Sequence, residues 1–432
     1  MKNFIIPNVN SSLDTWLNYL NNQHKKMVDM SIDRINIVAH NLDLLNPAPK
    51  IITVSGTNGK GTTCHILESI LIETGLRVGV YSSPHLINYT ERVRIQGHTL
   101  PEIEFCRVFS DIESKRDNTT LTYFEYGTLA ALQLFKKAKL DLVILEVGLG
   151  GLFDATNIID STISVITNIA LDHLNWFGHD RENIGYEKAG IFRKGKYAVI
   201  GELNIPKSIK KVADTLGTKL FCYGIDWQFK KEKNQWAWES VNHNFQQLPL
   251  PNVPLINAAT GLAILSCLMK ESKHIANTIS LKAINKGLIN AKLPGRLQVI
   301  SHQPYVILDV AHNPHAANYL AKKVSQLPRK KNTKVYAVVG MLIDKDIKGT
   351  LSCLNTQVDK WYLASLNVSR GASAEQLAKY VQSPSKFNTV KNAWLQVMLE
   401  ATKKDIIIVY GSFHTVSEVL ILKNRTLKNN ET

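Results

Sequence analysis

Two α/β domains, each built on a mostly parallel sheet, are predicted for this chain by three observations. Apolar β-branched runs alternate with amphipathic segments along most of its 432 residues, the signature of βαβ units. The alternation comes in two series, parted near residues 291–300. The first series opens at residues 51–64, IITVSGTNGKGTTC, where a strand runs through a glycine-broken loop into a helical pattern.

In the first series, strands are expected near 51–55, 77–82, 142–147, 163–168 and 196–200, with helices near 60–74, 126–138 and 181–192. The segment 222–254 carries Trp227, Trp236, Trp238 and several prolines and alternates in polarity, so it reads as a hairpin-like excursion closing the first domain. The second series begins at Tyr305-Val306-Ile307-Leu308-Asp309 and continues with strands near 334–340, 358–364 and 405–411. Its helices are expected near 314–327, 373–381 and 391–402, and the tail 423–432 is expected to fray. No internal repeat or low-complexity tract is present.

An apolar content of 44% supplies sizeable cores. The opening MKNFIIPNVNSS lacks the apolar run of a signal peptide, and no stretch approaches the roughly 18 apolar residues of a membrane span. A cytoplasmic protein with no membrane association is expected. The five cysteines are scattered and form no C-x-x-C pair, so buried thiols are expected rather than a disulfide framework or a zinc site. The net charge is +15, which favours anionic partners. No long Lys/Arg block and no interleaving of basic with aromatic residues marks a nucleic-acid binder, and a solvated basic face explains the charge.

The run Gly56-Thr57-Asn58-Gly59-Lys60-Gly61-Thr62 places backbone N–H groups, an ammonium and a hydroxyl where a helix begins, an arrangement suited to phosphate. Its spacing is shorter than G-x-x-x-x-G-K-[ST], so it is a variant phosphate loop, with Lys60 for the terminal phosphate and Thr62 for a bound Mg²⁺. The bland alternative is a tight strand-to-helix turn. Residues 140–151, LDLVILEVGLGG, end a strand in Glu146 and glycines. Ligands of open α/β sheets gather at the carboxyl ends of strands, so Glu146 is a candidate Mg²⁺ ligand, or else a strand-end acid paired with a lysine. The next strand delivers Asp172 and His173 to the same edge, for a structural or a ligand role, and Ser83 ends another and could add a hydroxyl. In the second series, Asp309 stands at a strand end before Val310-Ala311-His312-Asn313-Pro314 and suits a ribose or an amino group, with Asn313 as the helix cap. Tyr410-Gly411-Ser412-Phe413-His414 turns from strand to helix and could bind a carboxylate.

Taken in order, GTNGKGT, YSSPHL, TERVRIQG, LTYFEYGT, EVGLGG with DATN, ALDH, EKAGIF, NAAT, LPGR, DVAHNP and GSFHTV resemble the dihydrofolate synthase/folylpolyglutamate synthase family of the Mur ligase superfamily across the whole chain. The resemblance implies the Mur ligase architecture: an N-terminal P-loop ATP-binding domain, residues 1–296, and a C-terminal Rossmann-like glutamate ligase domain, residues 297–432. It implies ATP phosphates on residues 56–62, further ATP contacts from Asn257, Arg296 and Asp309, and one or two Mg²⁺ ions on Ser83, Glu146 and His173. It also implies a carbamate on Lys188, a helical lysine to which sequence physics gives no role. Lys60, His173 and carbamylated Lys188 are thereby the expected catalytic residues.

For the pterin or folate substrate, the resemblance points to Asp29, Met30 and Ser31, to Thr122, Tyr123, Phe124 and Glu125, and to Phe153 and Asp154. For L-glutamate it suggests His312 and Ser412. Two departures stand out. Leu152 and Phe153 occupy positions where the family commonly has arginine then leucine, and Ser31 replaces the usual glycine. The ligase chemistry is untouched by these, but substrate preference and tail length are exposed to them. The retained LTYFE favours the bifunctional branch that uses 7,8-dihydropteroate as well as reduced folates, over extension of folates alone or another Mur-type ligase acting on a muramyl substrate. A monomer taking only small-molecule substrates is expected, and a nucleic-acid-stimulated ATPase is disfavoured.

Overall fold

The computed structural model describes residues 5–24, 26 and 29–430. The chain forms two compact units, Met1–Leu171 with Phe177–Lys292, and Asp172–Trp176 with Leu293–Thr432. The short insertion of Asp172–Trp176 into the second unit is a grouping that no linear boundary expresses.

The first unit holds an eight-stranded sheet in the order β4-β3-β2-β5-β1-β6-β7-β8. Its strands are β1 (Lys50–Ser55), β2 (Val78–Tyr81), β3 (Val93–Ile95), β4 (His98–Thr99), β5 (Leu142–Glu146), β6 (Ile163–Ile166), β7 (Tyr197–Ile200) and β8 (Lys219–Cys222). All pairs from β2 to β8 are parallel, and β3 and β4 add an antiparallel edge. Helices cover both faces, which is why β1, β2, β5 and β6 read as unbroken apolar runs. Alternate residues feed two cores. Ile52, Val54, Ile144 and Val165 face the helices Lys60–Glu73 and Leu255–Glu271, whereas Ile51, Val143 and Leu145 face Leu13–Asn21, Glu102–Lys115 and Tyr123–Ala138. Register puts Val54 beside both Glu146 and Val165, so three strands end together at one rim.

The excursion expected over 222–254 is a three-stranded antiparallel sheet of β9 (Trp227–Lys231), β10 (Gln235–Ser240) and β11 (Asn244–Pro249). Trp227, Trp236 and Trp238 are buried in the first core. The excursion does not close the unit, because helices Leu255–Glu271, Lys273–Thr278 and Leu281–Asn290 follow it. The first of these is buried on nearly every side, so its sequence lacks the amphipathic period that reveals a surface helix. The helix expected from 126 begins at Tyr123 because Thr122 and Glu125 form a capping box.

The second unit holds six strands in the order β12-β13-β17-β14-β15-β16. They are β12 (Gln298–His302), β13 (Tyr305–Leu308), β14 (Val335–Val339), β15 (Lys360–Ala364), β16 (Ser385–Phe387) and β17 (Ile406–Tyr410). Only the β12 edge is antiparallel. The helix expected over 373–381 is shorter, Ala374–Ala378. The tail expected to fray from 423 instead continues the helix Phe413–Asn430, with Lys423 donating to the Ile300 carbonyl. Of the cysteines, Cys64, Cys106, Cys222 and Cys267 are buried and Cys353 is partly exposed.

Candidate active site

The loop after β1 needs two of its glycines for stated reasons. Gly56 has φ +144°, and a Cβ there would lie 1.9 Å from Thr167 Oγ1. Gly59, the residue before helix Lys60–Glu73, has φ +82°, and its Cβ would lie 2.2 Å from Asn257 Nδ2. Gly59 has no side chain with which to cap that helix, and the helix dipole favours an anion at its N-terminus. The loop is stapled to the segment after β6. Thr57 N donates to Asn168 O at 3.0 Å, Asn58 N to Asn168 Oδ1 at 3.0 Å, and Thr167 Oγ1 to Asn58 O at 2.7 Å. Lys60 Nζ donates to the Gly56 carbonyl at 3.0 Å, which holds the ammonium over the loop. Thr62 is buried in the first turn of the helix, and Asn257 Nδ2 reaches Thr63 Oγ1 at 3.2 Å.

Glu146 ends β5 buried at 5% exposure, and a Cβ on Gly61 would lie 3.3 Å from its Oε2. Ser83 N donates to the same oxygen at 3.1 Å. Thus Gly61, Ser83 and Glu146 meet at the rim. A carboxylate and a hydroxyl beside a phosphate loop are hard oxygen donors of the kind Mg²⁺ takes while keeping waters and phosphate oxygens as its other ligands, so these residues fit the ion. Among the described residues, no three His, Cys, Asp or Glu side chains gather into a ready-made metal cluster. His173, with φ +52°, lies in the Asp172–Trp176 segment of the second unit. Lys188 is buried at 6% exposure in the last turn of helix Arg181–Ala189. The loop at Gly151 crowds that turn, since its Cβ would lie 2.9 Å from the Lys188 carbonyl. Burial pushes the neighbouring Glu187 carboxyl up, with Lys188 pulling the other way.

The three segments suggested for the pterin are joined. Asp29 pairs with Arg34 at 3.2 Å and with His24 at 3.0 Å, and Arg34 also donates to Glu125 at 3.0 Å. Glu125 accepts from Thr122 N at 2.6 Å and is buried. Phe124 covers Gly148, where a Cβ would lie 2.6 Å from the ring, and Tyr81 stands 5.9 Å away between ring centroids. Asp154 accepts from Gly148 N, Leu149 N, Thr156 N and Thr156 Oγ1 at 2.7 to 3.0 Å, so it shapes the glycine loop. Phe153 is exposed. Leu152, one of the two departures, seats on Gly190, where a Cβ would meet it at 2.5 Å. Met30 packs at the edge of the core holding Phe177 and Phe192, and Ser31 Oγ donates to Asp33 at 3.2 Å.

In the second unit, Asp309 accepts from Leu297 N at 2.9 Å and Ala311 N at 2.8 Å. Burial pushes its carboxyl up, and the Arg296 guanidinium and these amides pull it down. Arg296 lies 5.1 Å from the centroid of Phe413, and the His312 ring 6.5 Å. His312 Nδ1 meets the Val310 carbonyl at 2.9 Å. Ser412 is buried, and its hydroxyl accepts from Thr415 N at 3.1 Å, capping the last helix.

Sequence reasoning missed Arg34, Thr167, Asn168 and Lys345. The last donates to Asp172 at 2.7 Å, and Asn313 Nδ2 reaches the same carboxylate at 3.1 Å. Burial alone would raise the Asp172 carboxyl, but the His312 hydrogen bond and the Lys345 charge hold it far below the usual carboxylate range. The Thr167-Asn168 pair carried a signal, since it directly follows β6 at the rim where the loop after β1 lies.

Comparison with known proteins places the chain in a family. Residues 54–250 match the Mur ligase middle domain and residues 295–413 the Mur ligase glutamate ligase domain. The chain is 51% identical, over 96% of each sequence, to the dihydrofolate synthase/folylpolyglutamate synthase of Escherichia coli strain K12. It is similar to the structure of E. coli FolC in complex with DHPP and ADP, at TM-score 0.93 and 50% identity, covering 98% of this chain and all of that one. It is also similar to a bifunctional folylpolyglutamate synthase/dihydrofolate synthase with Mn, AMPPNP and L-glutamate bound, at TM-score 0.91 and 55% identity, covering 97% and 99%. The chain belongs to the dihydrofolate synthase/folylpolyglutamate synthase family of Mur ligases.

Proposed function

We propose that this chain is an ATP-dependent carboxylate–amine ligase that adds L-glutamate to 7,8-dihydropteroate, forming dihydrofolate, and adds further glutamates to reduced folates. The observation that carries the reading is a helix N-terminus with no side-chain cap beside the Ser83–Glu146 pair, in a chain of this family.

An oxide is too poor a leaving group for direct amide formation. A carboxylate oxygen of the acceptor attacks the γ-phosphorus of ATP, the bond to ADP breaks, and an acyl phosphate forms. The amine of glutamate then attacks the acyl carbon, loses a proton, and phosphate leaves. The chain's part is positioning and electrostatics. Residues 56–62 hold the phosphates, with Lys60 at the one transferred, and Asn257, Arg296 and Asp309 contact the nucleotide. Ser83, Glu146 and His173 would hold Mg²⁺, which would supply positive charge to offset that of the phosphate oxygens. Residues 29–31 and 122–125, with Phe153 and Asp154, receive the pterin. His312 and Ser412 receive glutamate, although the capping bond of Ser412 leaves it only its remaining hydrogen-bonding capacity. In this reading residues 1–296 form the ATP-binding domain and 297–432 the glutamate ligase domain, in a cytoplasmic monomer.

Lys188 is assigned a carbamate, formed when its neutral amine adds CO₂ and releases a proton. The exchange of a buried cation for an anion suits a site where Glu146 is the acid beside the loop. Lys188→Ala is expected to abolish ligation, with partial rescue by a short carboxylate in solution; unchanged activity removes the assignment.

The reading is tested by incubating the full chain with ATP, Mg²⁺, L-glutamate and either dihydropteroate or tetrahydrofolate, and resolving products by mass. Glutamylated product from both is expected. Product from tetrahydrofolate alone contradicts the dihydrofolate synthase activity, and product from neither contradicts the ligase.

A further inference from the structure

A guanidinium taken out of water without a counter-charge is costly, so buried arginines are paired with carboxylates. Three arginines of the first unit follow the rule. Arg34 pairs with Asp29 and Glu125, Arg94 with Glu68 at 2.9 Å, and Arg116 with Glu113 at 2.6 Å. Arg92, buried at 9% exposure, differs, because the partners described for it are an imidazole and aromatic rings rather than carboxylates. Its Nε donates to His85 Nδ1 at 2.9 Å, and its guanidinium carbon lies 5.3 Å from the Tyr89 centroid and 5.5 Å from that of Tyr123. Burial raises the Tyr89 and Tyr123 phenols above their ordinary value, so neither supplies an anion at neutral pH. Two aromatic faces and one imidazole soften the cost of burial, but among the described residues no carboxylate pairs with the charge.

The position of this cation matters. His85 lies two residues beyond Ser83, whose amide holds Glu146, and Tyr123 lies beside Phe124, which covers the glycine loop. Arg92 therefore joins the segment proposed for the metal to the segment proposed for the pterin. In the acceptor, the group between the pterin ring and the transferred phosphoryl is the carboxylate to be activated. We propose that Arg92 is the anion subsite of the acceptor pocket and takes the benzoate carboxylate of dihydropteroate. This inference rests on the ligase reading above. It explains why the fold buries a fork of donors with no carboxylate paired to it among the described residues, since that geometry matches a planar carboxylate.

The test is a binding titration on the full chain, with Mg²⁺ and a non-hydrolysable ATP analogue, of dihydropteroate and of the same molecule carrying a carboxamide. The wild type is expected to prefer the acid by about 10- to 100-fold, the range of a charge-assisted hydrogen bond. Arg92→Gln is expected to bind acid and amide nearly equally while keeping its affinity for the amide, and Arg92→Lys to fall between. A merely structural arginine would leave the acid-to-amide ratio unchanged in Arg92→Gln, and that result overturns the proposal. Equal affinity of the wild type for acid and amide overturns it too, whether or not any variant folds. Failure of the ligase reading shows separately, as absence of glutamylated product from the wild type.

Discussion

Two strand-to-helix turns, one in each unit, share a topology and differ at a single kind of contact. After β1 the chain turns through Gly56 and Gly59 into helix Lys60–Glu73 with no capping side chain. After β13 it turns through Asp309 into helix Pro314–Ser325, where Asn313 Oδ1 accepts from Ala316 N at 3.0 Å and proline fills the first position. The turn after β17 behaves like the second, with Ser412 as its cap. A capped helix has satisfied one of its orphan amides and presents less of its dipole to a ligand. An uncapped one, held open by glycines, keeps its dipole for an anion. The difference sets a glycine-shaped turn, proposed above to hold phosphate, against two corners where the chain supplies its own helix cap.

The largest expected effect comes from closing the open turn. Gly59→Ala puts a Cβ 2.2 Å from Asn257 Nδ2 on a residue at φ +82°, and ATP-dependent glutamylation should fall by at least about three powers of ten. Wild-type phosphate release in this variant would break the comparison. Glu146→Ala, which removes the acid beside the loop, should cost about two to three powers of ten in kcat and weaken the dependence on Mg²⁺; a normal Mg²⁺ titration would take Glu146 out of the site. At the closed turn, Asn313→Ala should instead lower stability by about 1 kcal/mol, read from denaturant unfolding, with a loss of kcat far smaller than for Gly59→Ala.

The smallest effect concerns what anchors the open turn's helix. Glu68 is a buried residue of that helix, and although burial raises its carboxyl, the His65 hydrogen bond and Arg94 hold it below its ordinary value of 4.5. A carboxyl lowered in the folded state stabilises above the unfolded value, and that stability is lost as pH falls through the folded one. Glu68→Gln should therefore unfold at lower urea than wild type at pH 7, and the gap should close as pH falls below 4.5. A gap independent of pH would show that the ion pair is not what holds the helix.

Much of this comparison was legible in the sequence. The inner parallel strands of both sheets were readable to within a residue or two, because burial on both faces makes them unbroken β-branched runs, whereas β3, β4, β8, β12 and β16, at or next to the sheet edges, were not read. GTNGKGT and the strand-end Glu146 marked the open turn, and Asn313-Pro314 marked a capped one. What stayed hidden depends on distance along the chain or on the absence of a period. Arg34 meets Glu125 across 91 positions, and Lys345 meets Asp172 across 173, contacts that no local pattern encodes. The helix Leu255–Glu271 is buried nearly all round and carries no amphipathic stripe, so the Trp-rich excursion before it read as the end of the domain. Arg92 was visible only as part of TERVRIQG, because its isolation from carboxylates is a property of the folded surroundings.

The central claim is that the open turn delivers the γ-phosphoryl group of ATP to a carboxylate rather than to water. Dihydropteroate labelled with ¹⁸O in its carboxylate, turned over with ATP, Mg²⁺ and L-glutamate, tests it directly by mass analysis of the phosphate released. One ¹⁸O should pass from the carboxylate to each phosphate. Phosphate free of label, alongside glutamylated product, would contradict the account.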